Sequence, residues 1–223
     1  MTGKVKLSGT SGYVELSAPA TAGSNTLTLP TSNGSANQYL KNSGTAGELE
    51  FATLDGGKIL QVVMSEKTDV YSQTGTASYT DIPGTDQAGA GSIWCCKITL
   101  PNAGSKVLVN YSINISAGNT HAGGKMFRDS TEINRGDAAG SRERGFFSYY
   151  AATGPHYYTQ DNISGTYLDT PTYTAGDTLT YKIQLGTPNS SAYTIILGGN
   201  GNTADGNYNT RTSQHITLME VGA

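Results

Sequence analysis

Short stretches of alternating apolar and polar residues follow one another along most of the chain, separated by glycine, proline, serine or asparagine. A period of two is typical of β-strands that bury one face. Long runs of helix-forming residues with apolar positions three and four apart are absent, and we therefore predict an all-β protein. After residue 58 the pattern predicts strands at residues 59–65, 78–82, 93–100, 106–116, 124–129, 131–136, 143–152, 156–160, 165–169, 178–186, 192–199 and 214–221.

The chain changes in character near Asp55, Gly56 and Gly57. Before this point it consists mostly of Gly, Ser, Thr, Ala and Asn with single apolar residues between them, whereas regular strand patterns follow. We therefore predict two parts, a β-rich N-terminal anchor or stalk at residues 1–57 and a compact head at residues 58–223.

The predicted anchor has little to bury. Its patterned pieces, at residues 5–9, 13–19 and 25–30, each offer one row of apolar side chains, and a small sheet of this kind is marginally stable in water. We expect these rows to be covered by copies of the same segment or by a larger structure. The predicted anchoring residues are Val14, Leu16, Leu27 and Leu29.

The strand pattern of the head predicts a specific architecture. About eight to ten longer strands with no helix between them fit an antiparallel sandwich of two sheets, and the jelly roll is the natural choice at this strand count. We therefore predict an antiparallel jelly-roll sandwich.

Some predicted strands carry large side chains on both alternations. Phe146 and Tyr149 cover opposite faces of one strand, and Trp94 and Cys95 do so in another. A strand that is apolar on both faces has something to bury on each side. One face is expected in the sandwich core and the other at a subunit interface, so Trp94, Phe146 and Tyr149 are candidate inter-subunit contacts.

Charge and hydropathy exclude several classes of partner. The formal net charge is −3 and the 14 Lys and Arg residues form no cluster, so we expect no nucleic acid partner. No stretch approaches the roughly 20 apolar residues of a membrane span, so we expect no membrane insertion. Residues 1–12 lack the apolar core of a signal peptide, and we expect synthesis in the cytosol.

The two cysteines are adjacent, at Cys95 and Cys96. Neighbouring side chains of a strand point to opposite faces, so a bond between these two thiols would need a distorted geometry. The preferred interpretation is one buried thiol and one thiol facing a neighbour. A metal or redox role is the alternative, although no CxxC spacing or nearby histidine supports it.

Two stretches of the sequence resemble known segments. Residues 11–34 read SGYVELSAPATAGSNTLTLPTSNG. They resemble an N-terminal segment of tail-fibre and other virion proteins of bacteriophages, especially marine bacteriophages, in which a short strand precedes the phrase APAxAGxNTLTLP. Residues 126–145, MFRDSTEINRGDAAGSRERG, together with the final SQHITLMEV, are similar to a C-terminal head domain of the same phages.

The resemblance implies a virion structural protein. It also implies a homotrimer whose jelly-roll head is similar to the tumour necrosis factor class. The place of His215 in the final predicted strand makes it a further candidate inter-subunit contact, near the axis of such a trimer. Three roles stay open: a fibre or knob on the virion surface, a receptor-binding tail appendage that recognises a host surface glycan or protein, and a capsid decoration protein. Capsid or tail proteins of the particle are then its partners, and the virion surface is its location after synthesis in the host cytoplasm.

Two segments of the head are candidates for ligand binding. Residues 156–162 combine Tyr157 and Tyr158 with the amide of Asn162, and tyrosine rings and amides are suited to sugars. Residues 198–209 form an oxygen-rich loop with Asn200, Asn202, Asp205 and Asn207. The order of these residues departs from an EF-hand, so a long turn is favoured over a Ca²⁺ site. Trimer packing or plain surface is the alternative for residues 156–162.

No sequence motif indicates catalysis. The chain has no G-x-S-x-G, no P-loop, no H-E-x-x-H and no cysteine with a persuasive histidine partner, and its three histidines lack the spacing of metal ligands. We therefore expect a protein that is not an enzyme and that uses no cofactor and no metal.

Overall fold

The computed structural model of the protein describes residues 4–9, 11–17, 26–36, 38–53, 59–75, 78–118, 121–150, 159–188, 193–201, 206, 207 and 209–223. For residues 4–9 and 13–17 it describes the backbone alone. The chain divides into two compact units, Met1–Gly56 and Gly57–Ala223, which we call the N-terminal unit and the C-terminal unit. The boundary predicted from the sequence, after residue 57, differs from this division by one residue.

Every regular element among the described residues is a β-strand, which confirms the prediction of an all-β protein. The N-terminal unit contains β1 (Lys4–Gly9), β2 (Gly12–Ser17), β3 (Gln38–Asn42) and β4 (Leu49–Thr53). The C-terminal unit contains β5 (Ile59–Lys67), β6 (Tyr71–Gly75), β7 (Ser78–Asp81), β8 (Cys95–Thr99), β9 (Lys106–Ala117), β10 (His121–Arg128), β11 (Thr131–Ile133), β12 (Phe147–Tyr150), β13 (Asp161–Asp169), β14 (Thr178–Thr187), β15 (Tyr193–Leu197) and β16 (Gln214–Val221). In the described part of the chain, no helix is long and apolar enough to cross a membrane.

The strands of the C-terminal unit form two antiparallel sheets. Sheet I has the order β5-β16-β9-β15-β6, with β13 on the other side of β9. Sheet II has the order β11-β10-β14-β7, with β12 paired to β10 and β8 paired to β14. Because β15 and β16 pair with different stretches of β9, they occupy one strand position in two segments. The pairs β5/β6, β7/β8 and β11/β12 share positions in the same way.

Each sheet is therefore four positions wide, and the connections between positions identify the fold. In chain order the eight positions are β5/β6, β7/β8, β9, β10, β11/β12, β13, β14 and β15/β16. Every connection crosses from one sheet to the other except the one between β10 and β11/β12, which stays in sheet II. Two four-position sheets with this winding form a jelly roll, as predicted.

A single hydrophobic core fills the space between the two sheets. Alternate residues of β9, such as Val107, Val109 and Ile113, have no exposed surface. Alternate residues of β14, such as Leu179 and Ile183, are buried in the same core. The period of two that predicts these strands is therefore the period of their burial.

Trp94 belongs to this core. Its side chain is 1% exposed, and its backbone N–H donates to the carbonyl of Ile82 at 2.8 Å. A Cβ at Gly84 would lie 2.9 Å from the Trp94 Cβ, so only glycine allows this close approach. The prediction that Trp94 contacts a neighbouring subunit is wrong, because its own chain covers the indole.

A buried carboxylate connects the two sheets. Asp169 at the end of β13 accepts hydrogen bonds from Arg128 Nη1 of β10 at 2.7 and 2.8 Å. It also accepts one from the Tyr181 hydroxyl of β14 at 2.8 Å. Burial, together with the Asp169 carboxylate, raises the pKa of Tyr181 above its usual range, so the phenol stays a donor. These bonds join sheet I to both inner strands of sheet II.

The N-terminal unit consists of two hairpins without a core among its described side chains. β1 pairs with β2, and β3 pairs with β4. The strand predicted at residues 25–30 is wrong, because its described residues 26–30 form one isolated bridge between Thr28 and Glu48. No described side chain of residues 26–53 is buried.

We expect removal of the Asp169 charge to destabilise the C-terminal unit. Asp169→Asn keeps the shape of the side chain but leaves Arg128 partly buried without its carboxylate, which typically costs about 3 kcal/mol or more. Urea unfolding monitored by Trp94 fluorescence measures this change. Arg135→Gln is the matched control, since Arg135 forms a 3.7 Å ion pair and is 46% exposed, and it should cost less than about 1 kcal/mol. Equal costs for the two variants would contradict the prediction.

Candidate functional site

One end of sheet I carries a cluster of amides and hydroxyls. Asn162 lies on β13, and its Nδ2 donates to Ser112 Oγ at 2.9 Å and to Asn114 Oδ1 at 3.1 Å. Asn162 was predicted in a loop or edge strand that binds a ligand, and the structure places it on an edge strand. Its amide hydrogens are used within the sheet, so its side chain offers a ligand mainly the carbonyl oxygen.

The described part of the 198–209 segment lies at the same end. Gln160, just before β13, donates to the Thr210 carbonyl at 2.6 Å and accepts from Thr212 Oγ1 at 2.9 Å. Gly198, the first residue of the segment, donates its backbone N–H to the Asn114 carbonyl at 2.9 Å, and the Asn114 side chain accepts from Asn162. The two predicted ligand-binding segments therefore meet at this end. Their other predicted residues, Tyr157, Tyr158, Asn202 and Asp205, lie outside the described residues.

The two remaining asparagines of this segment differ in exposure. Asn207 is exposed, whereas Asn200 is 8% exposed and donates to Asn209 Oδ1 at 3.3 Å. Burial gives Asn200 a structural role, which corrects its prediction as a ligand-binding residue. Within the described residues no group of three or more His, Cys, Asp or Glu side chains is arranged to hold a metal ion.

The outer face of sheet I carries a row of apolar side chains that crosses all four strand positions. The strand registers place Val62 beside Met219, Met219 beside Leu108, and Leu108 beside Leu168. We call these four residues the apolar row. Its outer members are the most open, with Val62 56% and Leu168 46% exposed. Leu60 and Met64 extend the patch along β5 and are also exposed.

Few charges interrupt this face. Along the outward positions of β5, β9, β13 and β16, the only charged side chains besides the titratable His215 are Glu66 and Lys106. His215, a predicted inter-subunit contact, is half-buried on this face, opposite Glu66 on one side and Ser112 on the other. Its contact with another subunit stays a prediction.

The outer face of sheet II differs because ion pairs cover it. Lys97 binds Asp86 at 2.8 Å, and Lys182 binds Asp81 at 2.8 Å. A surface held by internal ion pairs is well solvated and has little need of cover. The outer face of sheet I is therefore largely apolar across its middle, whereas the outer face of sheet II carries ion pairs.

Phe146 and Tyr149, also predicted inter-subunit contacts, are half-buried and pack against the core of their own chain. The Phe146 ring meets the edge of Tyr111 at 5.0 Å between centroids. Burial and the Asp161 carboxylate raise the pKa of Tyr149 to about 12. Contact with a neighbouring subunit is therefore limited to the part of each ring that its own chain leaves open.

The cysteines point to opposite faces of β8, as predicted, but both are buried. Cys96 faces the core, and burial raises the pKa of its thiol to about 12. Cys95 faces outward, where it lines a cavity of about 340 Å³ together with Lys97 and Lys182. Burial also raises the pKa of the Cys95 thiol.

The predicted anchoring residues lie in the N-terminal unit. Leu27 and Leu29 are 64% and 68% exposed. Val14 and Leu16 lie on β2, at register positions opposite Leu7 and Val5 of β1. Exposure leaves the two leucines open to contact, and the anchoring role of all four residues stays a prediction.

The apolar row has almost no signal in the sequence. Its members come from four strands that are distant in sequence, and register alone brings them together. The one local signal is the alternation of Leu60, Val62 and Met64 in β5, and such alternation does not tell which face of a strand is inside.

Comparison with known proteins identifies no family. No protein-family model matches the sequence, and no curated protein is similar to it. Two solved structures, of the Gx and Gt strains of infectious bursal disease virus, align at 11% and 12% identity with TM-scores of 0.36 and 0.28. The alignments cover 95% and 96% of this chain but 44% and 47% of those chains, so this chain spans less than half of their length. Similarity at this level carries no argument about function.

We expect both thiols to be unreactive in the folded protein. A pKa of about 12 leaves about one Cys96 thiol in ten thousand ionised at pH 8, and only the thiolate attacks disulfide reagents. Titration with a chromogenic disulfide reagent should therefore label neither cysteine in buffer and both in concentrated urea. Cys95→Ser should reduce the urea value to one thiol. Rapid labelling of the native protein would contradict this prediction.

Proposed function

We propose that this protein is a structural virion-surface protein of a bacteriophage, attached through its N-terminal unit and displaying its C-terminal unit as a trimeric fibre or knob. Its role is architectural, with no enzymatic step. The resemblance of residues 11–34 and 126–145 to phage virion segments supports the proposal. The jelly roll is compatible with it, because viral structural domains are among the proteins that use this architecture.

The observation that carries the attachment role is the exposure of the N-terminal unit. None of its described side chains from residue 26 to residue 53 is buried, and five of them are large exposed hydrophobics: Leu27, Leu29, Tyr39, Leu40 and Phe51. A small sheet with this much exposed apolar surface gains stability from cover by another molecule. A particle surface or copies of the same segment would supply that cover.

The trimer is supported by an inversion in β5. Its outward residues Leu60, Val62 and Met64 are apolar, whereas the inward side has one apolar residue, Val63, beside the buried polar Ser65 and Lys67. Apolar residues on the outer face of a strand indicate that something covers this face as well. We infer that the outer face of sheet I, with the apolar row, is the contact between subunits.

The charge of this face favours a second copy of the chain as its partner. The chain carries a net charge of −3, so two copies repel least through a surface without net charge. Glu66 and Lys106 contribute one charge of each sign to the outer face of sheet I. Four strands about 4.8 Å apart and about 27 Å long project about 500 Å². This area is close to the roughly 600 Å² that each partner buries in the smaller specific interfaces.

We expect Leu27→Ser combined with Leu29→Ser to reduce attachment to the particle. Each buried leucine stabilises a contact by about 1.5–3 kcal/mol, so loss of two should lower incorporation more than tenfold. The measurement is the amount of protein that co-sediments with particles assembled with the variant. Gold labelling of wild-type particles, viewed by electron microscopy, shows whether the protein lies on capsid or tail.

The control for attachment is Tyr150→Ser, which removes an exposed aromatic side chain from the C-terminal unit. It should leave incorporation unchanged. Normal incorporation of the Leu27→Ser, Leu29→Ser protein would contradict the attachment role of these leucines. Absence of the wild-type protein from particles would contradict the proposed function itself.

We expect Val62→Glu combined with Leu168→Glu to dissociate the trimer. Both residues are exposed in the single chain, so the substitutions should leave its fold intact. They place two carboxylates in the apolar row, where burial against another subunit would be unfavourable. Sedimentation equilibrium should give three times the 23.3 kDa chain mass for wild type and the mass of one chain for the variant.

Tyr150→Glu is the matched control for the trimer. Tyr150 is 57% exposed, close to the 56% of Val62, but it lies on β12 of sheet II. This variant should stay trimeric. A wild-type protein that sediments as a single chain, or a Tyr150→Glu variant that dissociates while the Val62→Glu, Leu168→Glu protein does not, would overturn the assignment of this face.

Receptor binding is the second candidate function. It is favoured by the amide and hydroxyl groups that meet at one end of sheet I, where Asn162 binds Ser112 and Asn114 and where Gln160 binds Thr210 and Thr212. A host surface glycan or protein would be the ligand. The third role, capsid decoration, shares the attachment and trimer proposals and differs in the location that gold labelling measures.

A further inference from the structure

The outer face of sheet II contains a groove made of two adjoining cavities. Their volumes are about 370 and 190 Å³, and they share Tyr79, Glu143 and Pro188. The larger cavity is also lined by Lys125, Phe127, Glu132 and Gln184. We call this feature the groove. The volume of the larger cavity is near the lower end of the range of small-molecule sites, about 300–1,000 Å³.

Most of the groove is built on strands. Gln184 lies on β14, Glu132 on β11 and Tyr79 on β7. The Tyr79 side chain lies against β10, where a Cβ at Gly123 would meet its hydroxyl oxygen at 2.7 Å. Burial and the carboxylates of Glu143 and Glu132 raise the pKa of Tyr79 to about 12, so its hydroxyl keeps its proton. The polar and aromatic groups therefore stand at fixed positions.

The cations of the groove are already engaged by the chain itself. Lys125 Nζ lies 2.5 Å from Glu143 Oε1 and 4.5 Å from the centre of the Tyr79 ring. Lys182 Nζ binds Asp81 and lies 5.9 Å from the centre of the Phe127 ring. A cationic ligand would have to displace these ammonium groups or lie beside them.

The polar groups of the groove that could still bind a ligand are mainly hydrogen-bond acceptors. Glu132 Oε1 is buried and has no hydrogen-bond partner among the described residues, so a ligand hydroxyl reaches it only when the side chain turns toward the groove, and its Oε2 is 3.7 Å from Arg135. Gln184 donates its amide hydrogen to Asp81 Oδ1 at 2.9 Å, which directs its carbonyl oxygen to other donors. Glu132 and Glu143 also repel an anionic ligand.

We propose that the groove binds a neutral saccharide. Sugar hydroxyls supply donors for Glu132, Glu143 and Gln184 without adding a charge, and the apolar C–H face of a sugar packs against the aromatic surfaces of Tyr79 and Phe127. The second cavity extends the site past Tyr79 toward Phe147, so the groove has room for more than one sugar unit. This proposal rests on the receptor-binding candidate for its biological meaning, but it places the ligand in the groove of sheet II rather than at the amide cluster of sheet I.

Saturation-transfer NMR on the purified full chain tests the proposal. The probes are glucose, galactose, mannose and N-acetylglucosamine at up to about 50 mM, well above a dissociation constant of about 1 mM. At least one of them should receive saturation from the protein. Glucuronic acid has a carboxylate in place of the C6 hydroxymethyl group of glucose. It should bind at least tenfold more weakly than the neutral sugar that binds best.

Three variants locate the binding. Phe127→Ala removes an aromatic wall and should weaken binding about tenfold, and Glu132→Gln, which keeps the shape of the side chain, should weaken it several-fold. Thr74→Ala removes an exposed hydroxyl on β6 of sheet I and should change the affinity less than twofold. Circular dichroism verifies that each variant is folded.

Binding of none of the four sugars would overturn the saccharide site, and so would full binding in both Phe127→Ala and Glu132→Gln. Comparable binding of glucuronic acid would overturn the neutral class of ligand. These outcomes are separate from those for attachment and trimer mass, because they are measured on the purified chain without particles. Sugar binding to a protein absent from virions would reject the proposed function and retain the groove.

Discussion

Burial of every second residue of β9 and β14 in one core is the constraint on which the rest of the structure depends. It fixes which side chains of the central strands lie between the sheets, and the registers with neighbouring strands extend that choice across each sheet. All remaining positions face outward and are free to differ in chemistry. Sheet I uses this freedom for a face with few charges and an apolar row, and sheet II uses it for ion pairs and a groove. One core therefore supports two surfaces with different tasks.

The inverted strand β5 shows how far a protein can depart from apolar-inside patterning when its polar groups find partners. Lys67 is buried, yet its Nζ binds both carboxylate oxygens of Asp69 at 2.8 Å and the carbonyl of Pro83 at 2.9 Å. Gln61 donates to the Thr99 carbonyl at 2.6 Å and to buried Glu220 at 2.7 Å. Hydrogen bonds of this kind offset the desolvation of polar groups. The apolar side of β5 is thereby left for an external contact.

Much of the fold could be predicted because its signals are local. The strand predicted at residues 214–221 matches β16, and alternation with turn residues was sufficient to predict the jelly roll. Trp94 and Asn200 could not be assigned in this way, because their burial depends on residues packed over them from elsewhere in the chain. The short strand β6 was missed, since Tyr71 is its one large apolar residue. The groove was missed because strand register and side-chain packing assemble it from separate strands.

The position of β16 has a consequence for how the chain is made. β16 lies between β5 and β9 in sheet I, so the first strand of the C-terminal unit has no ladder partner until residue 221 has been synthesised. On the ribosome, β5 and its apolar side chains therefore have no neighbouring strand while the rest of the unit is translated. Such contacts between distant residues close slowly and late. Sheet I is thus complete only once β16 is available, and a nascent chain that ends before β16 presents an unpaired strand edge to its surroundings.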